Sequence, residues 1–362
     1  MPGVLACRMS QANHSHLWPG VPLAIASAVL FGATTPFSKI LLGSVDPQLL
    51  AGLLYLGAGL GLACVHLGRT AMGMPAPEAP PRAADSPWLL AVVLFGGILG
   101  PLLLMSGLAR TAATTGSLLL NVEGLATMGI AWVIFRENVD RRLLLGALAI
   151  IAGAVVLTWE GQGVTIDLGA ALIIGACLAW GIDNNLSRKL SSADPALISM
   201  IKGLAAGVTN ICLAFLMGAE IPSVNVVGAS AILGFLGVGV SLVLFVLALR
   251  HLGTARTGAY FSLAPFVGAM VAIVLLHEPL TLKLLFAGLL MAIGLWLHLT
   301  ERHEHEHAHE AMEHEHGHEH DKHHQHRHDG QVAEPHSHLH RHEPLHHAHP
   351  HYPDLHHRHR HG

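Results

Sequence analysis

The chain has 362 residues, of which 52% are hydrophobic and only 12% are charged, and it carries 30 histidines against 3 tyrosines. Two unlike segments produce these averages, because residues 301–362 hold 24 of the histidines with 12 Asp or Glu and 6 Lys or Arg. The first 300 residues instead contain apolar runs long enough to cross a bilayer, which takes about 20 residues. This composition argues against a soluble enzyme, and no nucleophile–base arrangement indicates a membrane-embedded one.

Ten apolar stretches follow one another along the first 300 residues. Each has roughly 18 to 26 residues, which at about 1.5 Å per residue matches a hydrocarbon core of about 30 Å. Period-2 alternation is absent from these stretches, so we expect helices rather than strands. The predicted helices cover residues 21–42, 47–68, 87–109, 112–135, 142–159, 168–188, 195–218, 224–249, 255–276 and 282–299.

The basic residues between the helices predict the orientation of the chain. The first 17 residues lack the apolar core of a cleavable secretory signal, so we expect the first helix to be retained. With a cytoplasmic N-terminus, ten Lys or Arg lie at cytoplasmic ends and three at the opposite ends, namely Lys39, Arg110 and Lys283. This bias follows the positive-inside rule and predicts an inner-membrane protein with both termini in the cytoplasm.

The two halves of the apolar region are similar to each other. Phe-Gly and Ser-Lys pairs in the first helix match Trp-Gly and Ser-Arg pairs in the sixth, at residues 31–32, 38–39, 180–181 and 187–188. The fourth and ninth helices each end near a glutamate, Glu137 and Glu278, which we interpret as structural. Because each half has an odd number of helices, the halves are inverted relative to each other, a common plan in secondary transporters.

With these features the sequence resembles the EamA-type transporters of the drug/metabolite transporter superfamily, over about residues 20–299. The shared motifs are Gly then a cationic residue in the first helix of each repeat, a small-residue-rich fourth helix ending in Glu, and a Gly-rich fifth helix. The resemblance implies an all-α integral membrane fold of ten transmembrane helices as two inverted five-helix repeats, 21–159 and 160–299. A cytoplasmic segment, 1–20, precedes them and a tail, 300–362, follows.

The family's members are typically carriers without ATPase domains, and many export amino acids or other metabolites. Consistently, the chain contains no G-x-x-x-x-G-K-[ST] motif for ATP hydrolysis. One departure from the pattern is informative. The fourth helix of a repeat usually carries a small residue and Pro at mid-span, as Ala264-Pro265 does, whereas the first half has Glu123-Gly124 there.

Glu123 is therefore the first candidate site residue. An ionisable side chain at the bilayer centre costs at least roughly 2.5 kcal/mol, so it usually faces a cavity or a partner. We expect it to bind a cation or exchange a proton, the alternative being a structural carboxyl group that hydrogen-bonds to a neighbouring helix.

Asp183, Asn184 and Asn185 form a second polar group in the sixth helix. Lys202 should lie at the same depth in the seventh helix, so an ion pair with Asp183 and a substrate or proton site are both open interpretations. Asn210 is expected to donate a hydrogen bond between helices. The candidate substrate-binding or proton-coupling residues are Glu123, Asn121, Asp183, Asn184, Asn185, Lys202 and, at helix ends where they can also reach the interface, Lys39 and Arg188.

The tail is of low complexity and is predicted to be disordered. Neutral imidazole suits zinc, copper, nickel and cobalt, and alternation with carboxylates favours many weak sites over one closed tetrahedral site. The alternative is a solvated, pH-responsive tail without a ligand. No cofactor is required, and the candidate metal ligands are His303, His305, His307, His309, His314, His316, His318, His320, His323 and His324.

The sequence thus predicts a secondary transporter, with export of divalent nickel, cobalt or zinc as the more specific hypothesis. Its first alternative is an exporter of a small organic metabolite or amino acid whose tail buffers metal or regulates. A membrane-anchored metal store that transports nothing is the less favoured alternative. The expected partners are the lipid bilayer and the small solute or metal ion, with a homodimer left open and no nucleic acid.

Overall fold

The membrane-spanning part of the fold, within residues 20–299, is all-α, as predicted. The structure, a computed structural model, describes residues 20–74, 80–135, 141–159, 167–187, 190, 193–252 and 254–299, and the backbone of 304–309, 312–318, 336–342 and 345–350. In this described part, nine helices are long and apolar enough to cross a membrane, and Ala264–Leu276 is a shorter apolar helix.

The first repeat contains five spans. A π-helical segment, Val93–Leu99, joins two α-helices into the third span, and two short helices in series make the fourth. A 3-10 turn, Ala83–Asp85, precedes the third span. The helices are α1 (Gly20–Leu41), α2 (Pro47–Ala71), α3 (Ser86–Val92), α4 (Gly100–Leu108), α5 (Ala113–Leu119), α6 (Val122–Phe135) and α7 (Arg141–Thr158).

The second repeat reproduces this order of elements. Its third span again contains a π-helical segment, Phe235–Val240, and its fourth again consists of two helices. The helices are α8 (Leu168–Ser187), α9 (Pro195–Leu216), α10 (Val224–Gly234), α11 (Ser241–Leu252), α12 (Thr254–Phe261), α13 (Ala264–Leu276) and α14 (Leu282–Leu299).

The interrupted spans differ from the continuous helices that the sequence predicted at 112–135 and 255–276. In the first repeat, the Asn121 amide donates to the Leu118 carbonyl at 2.9 Å, at the turn between α5 and α6, and such a local side-chain bond competes with the helical ladder. In the second repeat, Pro265 opens α13, where its missing N–H costs no helical bond.

The second helix of each repeat begins in the same way. The Asp46 carboxylate accepts from the Gln48 amide at 2.9 Å, and the Asp194 carboxylate accepts from the Ala196 amide at 2.8 Å. A proline follows each aspartate at the first helical position, where a fixed φ favours helix initiation. Asp46 and Asp194 are therefore equivalent positions of the two repeats, and residues at the same distance after them in α2 and α9 are equivalent too.

Two sets of four helices surround the centre of the protein. In the α1 group, α1 packs against α11, α12 and α13; in the α8 group, α8 packs against α4, α5 and α6. The repeat relates the groups member by member. Gly32 of α1 lies against the Ala264 carbonyl of α13, and Gly181 of α8 lies against Ala126 of α6 in the equivalent manner.

We name the two membrane faces after residues at helix ends. At the Lys39 face α1 and α13 end and α5 begins; at the Arg69 face α2, α8 and α14 end and α12 begins. The contacts agree with this assignment, because Lys39 reaches the end of α4 and Gly20 at the start of α1 lies against Leu252 at the end of α11.

Four segments of the tail form strands, where the sequence predicted no regular structure. Strand β1 (Glu304–His309) pairs with β4 (Leu345–Pro350), and β2 (Met312–His318) pairs with β3 (His336–His342), both antiparallel. The alternation of His with other residues has the period of a strand. Of the candidate metal ligands, the strands give the backbone course of His305, His307, His309, His314, His316 and His318, whereas His303, His320, His323 and His324 lie outside the described residues.

Candidate functional site

A buried ion pair joins the sixth and seventh spans. The Lys202 ammonium lies 2.5 Å from an Asp183 carboxylate oxygen, and the two side chains are 18% and 7% exposed. The sequence predicted equal depths for these residues from their positions along antiparallel helices, and the contact confirms that prediction. Because each charge compensates the other, the pair adds no net charge to the membrane interior.

Glu123 lies in the first turn of α6, beside this pair. The Asn184 side-chain amide donates to Glu123 Oε1 at 3.0 Å and to the Thr127 hydroxyl at 3.1 Å. Asn184 is exposed and Glu123 is half-buried. Within the described residues Glu123 makes no ion pair, so the carboxylate can accept a cation or a proton.

The π-helical segment of the third span contacts three neighbouring helices. Its Gly96 carbonyl accepts from the Tyr55 hydroxyl at 2.9 Å and from the Trp180 indole N–H at 3.0 Å. The Asn210 amide donates to the Gly97 carbonyl at 3.2 Å, which confirms the interhelical bond predicted for Asn210. A π-helical turn changes the backbone hydrogen-bond pattern of a helix, and such turns are frequent at functional sites.

Gly96 also brings the third span against the ion pair. A Cβ atom at this position would overlap the Asp183 carboxylate and the Lys202 ammonium. Only glycine allows the backbone to approach this closely. The seven side chains around the π-helical segment and Glu123 form what we call the polar cluster: Tyr55, Glu123, Thr127, Trp180, Asp183, Asn184 and Lys202.

Sequence reasoning missed four members of this arrangement. Thr127, Tyr55 and Trp180 were not predicted as site residues, nor was the Gly96 carbonyl. Tyr55 carried a usable signal, since it is one of only 3 tyrosines in the chain and lies within an apolar helix. Thr127 lies one helical turn after Glu123, where it donates to the Glu123 backbone carbonyl at 3.0 Å.

Other predicted residues lie outside the polar cluster. Asn121 faces the tenth span, donating weakly to Met291 Sδ at 3.8 Å. Asn185 binds the Thr127 and Gly181 carbonyls at 3.0 and 2.8 Å, at the crossing of α6 and α8. Lys39 donates to the Leu108 carbonyl at 2.6 Å, far from Glu123 along the membrane normal. Arg188 lies outside the described residues.

A metal-binding arrangement does not occur where side chains are described: no group of three or more His, Cys, Asp or Glu there could hold a metal ion. Asp183 is already neutralised by Lys202, and Glu123 is the remaining carboxylate of the polar cluster. A divalent ion at this position would rely largely on neutral amide and hydroxyl donors.

The equivalent positions of the α1 group are neutral and aromatic. Phe31 replaces Trp180, and Phe31 lies 5.2 Å from Phe261 between ring centroids, with Phe245 a further 4.9 Å from Phe261. Thr34 replaces Asp183 and occupies the same place, against Gly237 in the second π-helical segment. One group thus carries the charges and the other an aromatic cluster.

Two repeats of membrane-spanning helices, both with interrupted helices, together with one polar cluster within the membrane, define the class of membrane transporters. The model of the EamA-like transporter family matches residues 18–159 and 167–300. The chain therefore belongs to the EamA-like transporter family, within the drug/metabolite transporter superfamily.

Curated relatives agree with this assignment. An uncharacterized transporter of Methanothermobacter thermautotrophicus is 30% identical over 306 residues, covering 80% of this chain and 89% of that protein. The uncharacterized transporter YvbV of Bacillus subtilis is 26% identical, over 73% of this chain and 86% of its own length. A probable amino-acid metabolite efflux pump of Salmonella typhimurium is 25% identical, over 51% of this chain and 67% of its own.

A solved crystal structure shares the fold. It superposes with a TM-score of 0.58 over 77% of this chain and 95% of that chain, at 17% sequence identity.

Proposed function

We propose that the protein is a secondary transporter of small organic solutes that carry an ammonium group, with Glu123 as the residue that binds this group. The observation that carries the proposal is the charge balance of the polar cluster. Asp183 is paired with Lys202 at 2.5 Å, while the partner that the described residues give the Glu123 carboxylate is a neutral amide, from Asn184 at 3.0 Å. An organic cation or a proton compensates the remaining carboxylate charge.

The rest of the polar cluster supports a solute rather than a bare ion. The exposed Asn184 amide lies beside Glu123, and the Tyr55 and Trp180 rings lie nearby, held on the Gly96 carbonyl. Pockets for organic ligands combine apolar and aromatic walls with a few polar groups. The amino-acid metabolite efflux pump among the relatives supports the same class, because amino acids carry an ammonium group.

Export of divalent nickel, cobalt or zinc is the rival function. The histidine-rich tail favours it, since a tail that collects metal could supply a metal carrier. The polar cluster argues against metal transport, because divalent cations prefer several anionic or imidazole ligands. Among the described residues, Glu123 is the one carboxylate of the polar cluster without a cationic partner.

Uptake into proteoliposomes distinguishes the two functions. The purified full chain is tested against labelled amines, amino acids, zinc, nickel and cobalt, beside Glu123→Gln and the control Glu220→Gln, which makes the same change at an exposed loop position. We expect saturable uptake of an ammonium-bearing solute that falls about a hundredfold in Glu123→Gln, because removing one partner of a buried charge interaction costs several kcal/mol. The control should transport normally. Uptake of a metal alone would establish the rival function.

The proposal includes the orientation of the protein in the membrane. The protein lies in the cell's inner membrane with the Arg69 face toward the cytoplasm, because the loops and segments that the sequence predicts on that side contain ten of the thirteen Lys and Arg that lie between or before the predicted helices or at their ends. The tail is then cytoplasmic. Protease treatment of right-side-out vesicles should leave the tail intact, and its removal from outside would reverse the assignment.

The tail binds transition metal ions in this proposal and buffers or senses them beside the transporter. Its 24 histidines supply imidazole ligands that suit zinc, nickel, cobalt and copper. Stoichiometric zinc binding by the purified full chain should disappear when residues 301–362 are deleted. Binding that survives the deletion would contradict this role.

A further inference from the structure

Among the described residues, the α1 and α8 groups pack against each other chiefly near one membrane face. Near the Lys39 face, α5 of the α8 group packs against α13 and α1 of the α1 group, and α4 also reaches α1. In the internal repeat, α12 is equivalent to α5, α6 to α13, α8 to α1 and α11 to α4. The equivalent contacts near the Arg69 face would therefore join α12 to α6, α12 to α8 and α11 to α8. Within the described residues, none of those three equivalent pairs packs as extensively as its counterpart near the Lys39 face.

Burial of equivalent side chains shows the same asymmetry. Thr35 and Ser38 of α1 are buried, at 4% and 0% exposure. Their equivalents in α8, Asn184 and Ser187, are exposed and half-buried respectively. Among the described residues the Lys39 face is therefore closed between the groups, whereas toward the Arg69 face Asn184 is exposed beside the polar cluster.

The closed face is close-packed around two glycines. A Cβ atom on Gly268 of α13 would lie 2.7 Å from the Ser117 hydroxyl of α5 and 2.7 Å from the Gly32 carbonyl of α1. Ser117 is 1% exposed. Helices approach this closely only where small residues leave room, so the contact between α5 and α13 excludes solvent.

Two charged side chains of the α1 group bind the backbone of the α8 group at this face. Glu278, which follows α13, accepts the Ala113 and Thr114 amides at 2.7 and 2.8 Å, one on each carboxylate oxygen. Lys39, near the end of α1, donates to the Leu108 carbonyl at 2.6 Å. His277 before Glu278 has φ 54°, the left-handed conformation that reverses the chain after a helix.

The Glu278 and Lys39 hydrogen bonds hold the two helix ends on either side of the turn between α4 and α5. Helix ends leave amides and carbonyls without helical partners. The Glu278 carboxylate takes two such amides and the Lys39 ammonium takes one such carbonyl, so each bond is charge-assisted and stronger than a neutral hydrogen bond. The groups cannot separate at the Lys39 face without breaking all of these bonds.

We infer that Lys39 and Glu278 form a latch that holds the Lys39 face closed, and that transport requires its release. Release lets α5 move away from α13, which opens the polar cluster to the opposite side of the membrane. The inference concerns the conformational cycle and does not depend on which solute Glu123 binds.

Thiol labelling at the closed contact tests the latch. Cys7, Cys64, Cys177 and Cys212 are replaced by serine, Ser117→Cys is introduced between α5 and α13, and a membrane-impermeant maleimide is added from each face. The tail, which follows α14, marks the Arg69 face. In the otherwise unchanged chain we expect Cys labelling at position 117 to be slow from the Lys39 face.

Glu278→Gln and Lys39→Gln should each raise that labelling rate about tenfold or more, the change that loss of a charge-assisted hydrogen bond produces in an equilibrium. Two controls lie at the same face. Glu220→Gln changes an exposed glutamate, and Lys283→Gln removes a lysine that donates to the Trp159 carbonyl at 2.7 Å, outside the two groups. Neither control should alter labelling.

Gly268→Ala provides a second route to the open face, because its methyl group separates α5 from α13 without touching either charge. It should raise labelling as the latch variants do. Gel filtration establishes that each variant is folded before it is labelled. Unchanged labelling in folded Glu278→Gln and Lys39→Gln proteins would overturn the inference, as would rapid labelling of the unchanged chain from the Lys39 face.

Discussion

The α1 and α8 groups have the same helices in the same arrangement, yet they differ in chemistry and in exposure. Asp183 of α8 carries a charge where α1 has Thr34, and Trp180 binds a backbone carbonyl where α1 has Phe31. Asn184 is exposed where Thr35 is buried. The internal repeat therefore determines the arrangement of the helices, whereas the positions at which the two halves differ determine the chemistry of the polar cluster and the exposure of its side chains.

Removing one partner of the Asp183–Lys202 ion pair should destabilise the protein more than the other substitutions considered below. Asp183→Asn leaves the Lys202 ammonium unpaired in the membrane interior, and loss of one partner of a buried pair costs about 3–5 kcal/mol. Thermal unfolding in detergent should show a large loss of stability. An unchanged unfolding temperature would mean that the pair is solvated.

Replacing Asp183 and Lys202 with the residues found at the equivalent positions of the first repeat separates the effect of charge from that of packing. The caps at Asp46 and Asp194 place Leu54 in the position equivalent to Lys202, so Asp183→Thr with Lys202→Leu reproduces the neutral chemistry of the α1 group. Replacing a buried ion pair with apolar residues is often neutral for stability. We expect the double variant to unfold near the wild-type temperature and to transport poorly; destabilisation equal to that of Asp183→Asn would contradict this.

A smaller effect is expected at the π-helical segment. Tyr55→Phe or Trp180→Phe alone removes one of two donors to the Gly96 carbonyl, so the remaining donor still satisfies it and the cost should be about 1 kcal/mol or less. The double variant leaves this carbonyl without either donor and should cost more than the sum of the single changes. Strict additivity in unfolding experiments would show that the two bonds are independent.

The sequence predicted the helices, their order and the equal depth of Asp183 and Lys202 because these depend on hydropathy and on position along a helix, and it left the ion pair as one of two open interpretations. The α5–α6 and α12–α13 interruptions and both π-helical segments were not predicted, since average hydropathy is the same for a continuous and an interrupted helix. Glu278 was recognised only as a recurring structural glutamate. Its role across the two groups depends on the distance between α13 and α5, which no local pattern contains.

The latch requires that the α1 and α8 groups be closed at the Lys39 face and accessible from the Arg69 face. Two matched reporters compare the faces: Ser38→Cys in α1 and Ser187→Cys in α8, equivalent positions that are buried and half-buried respectively, each in a chain without other cysteines. The labelling rate of each is measured with an impermeant maleimide added from the nearer face. We expect the cysteine at position 187 to react at least about tenfold faster than the one at position 38, which corresponds to a free-energy difference of about 1.4 kcal/mol. Equal rates, or faster reaction at position 38, would contradict it.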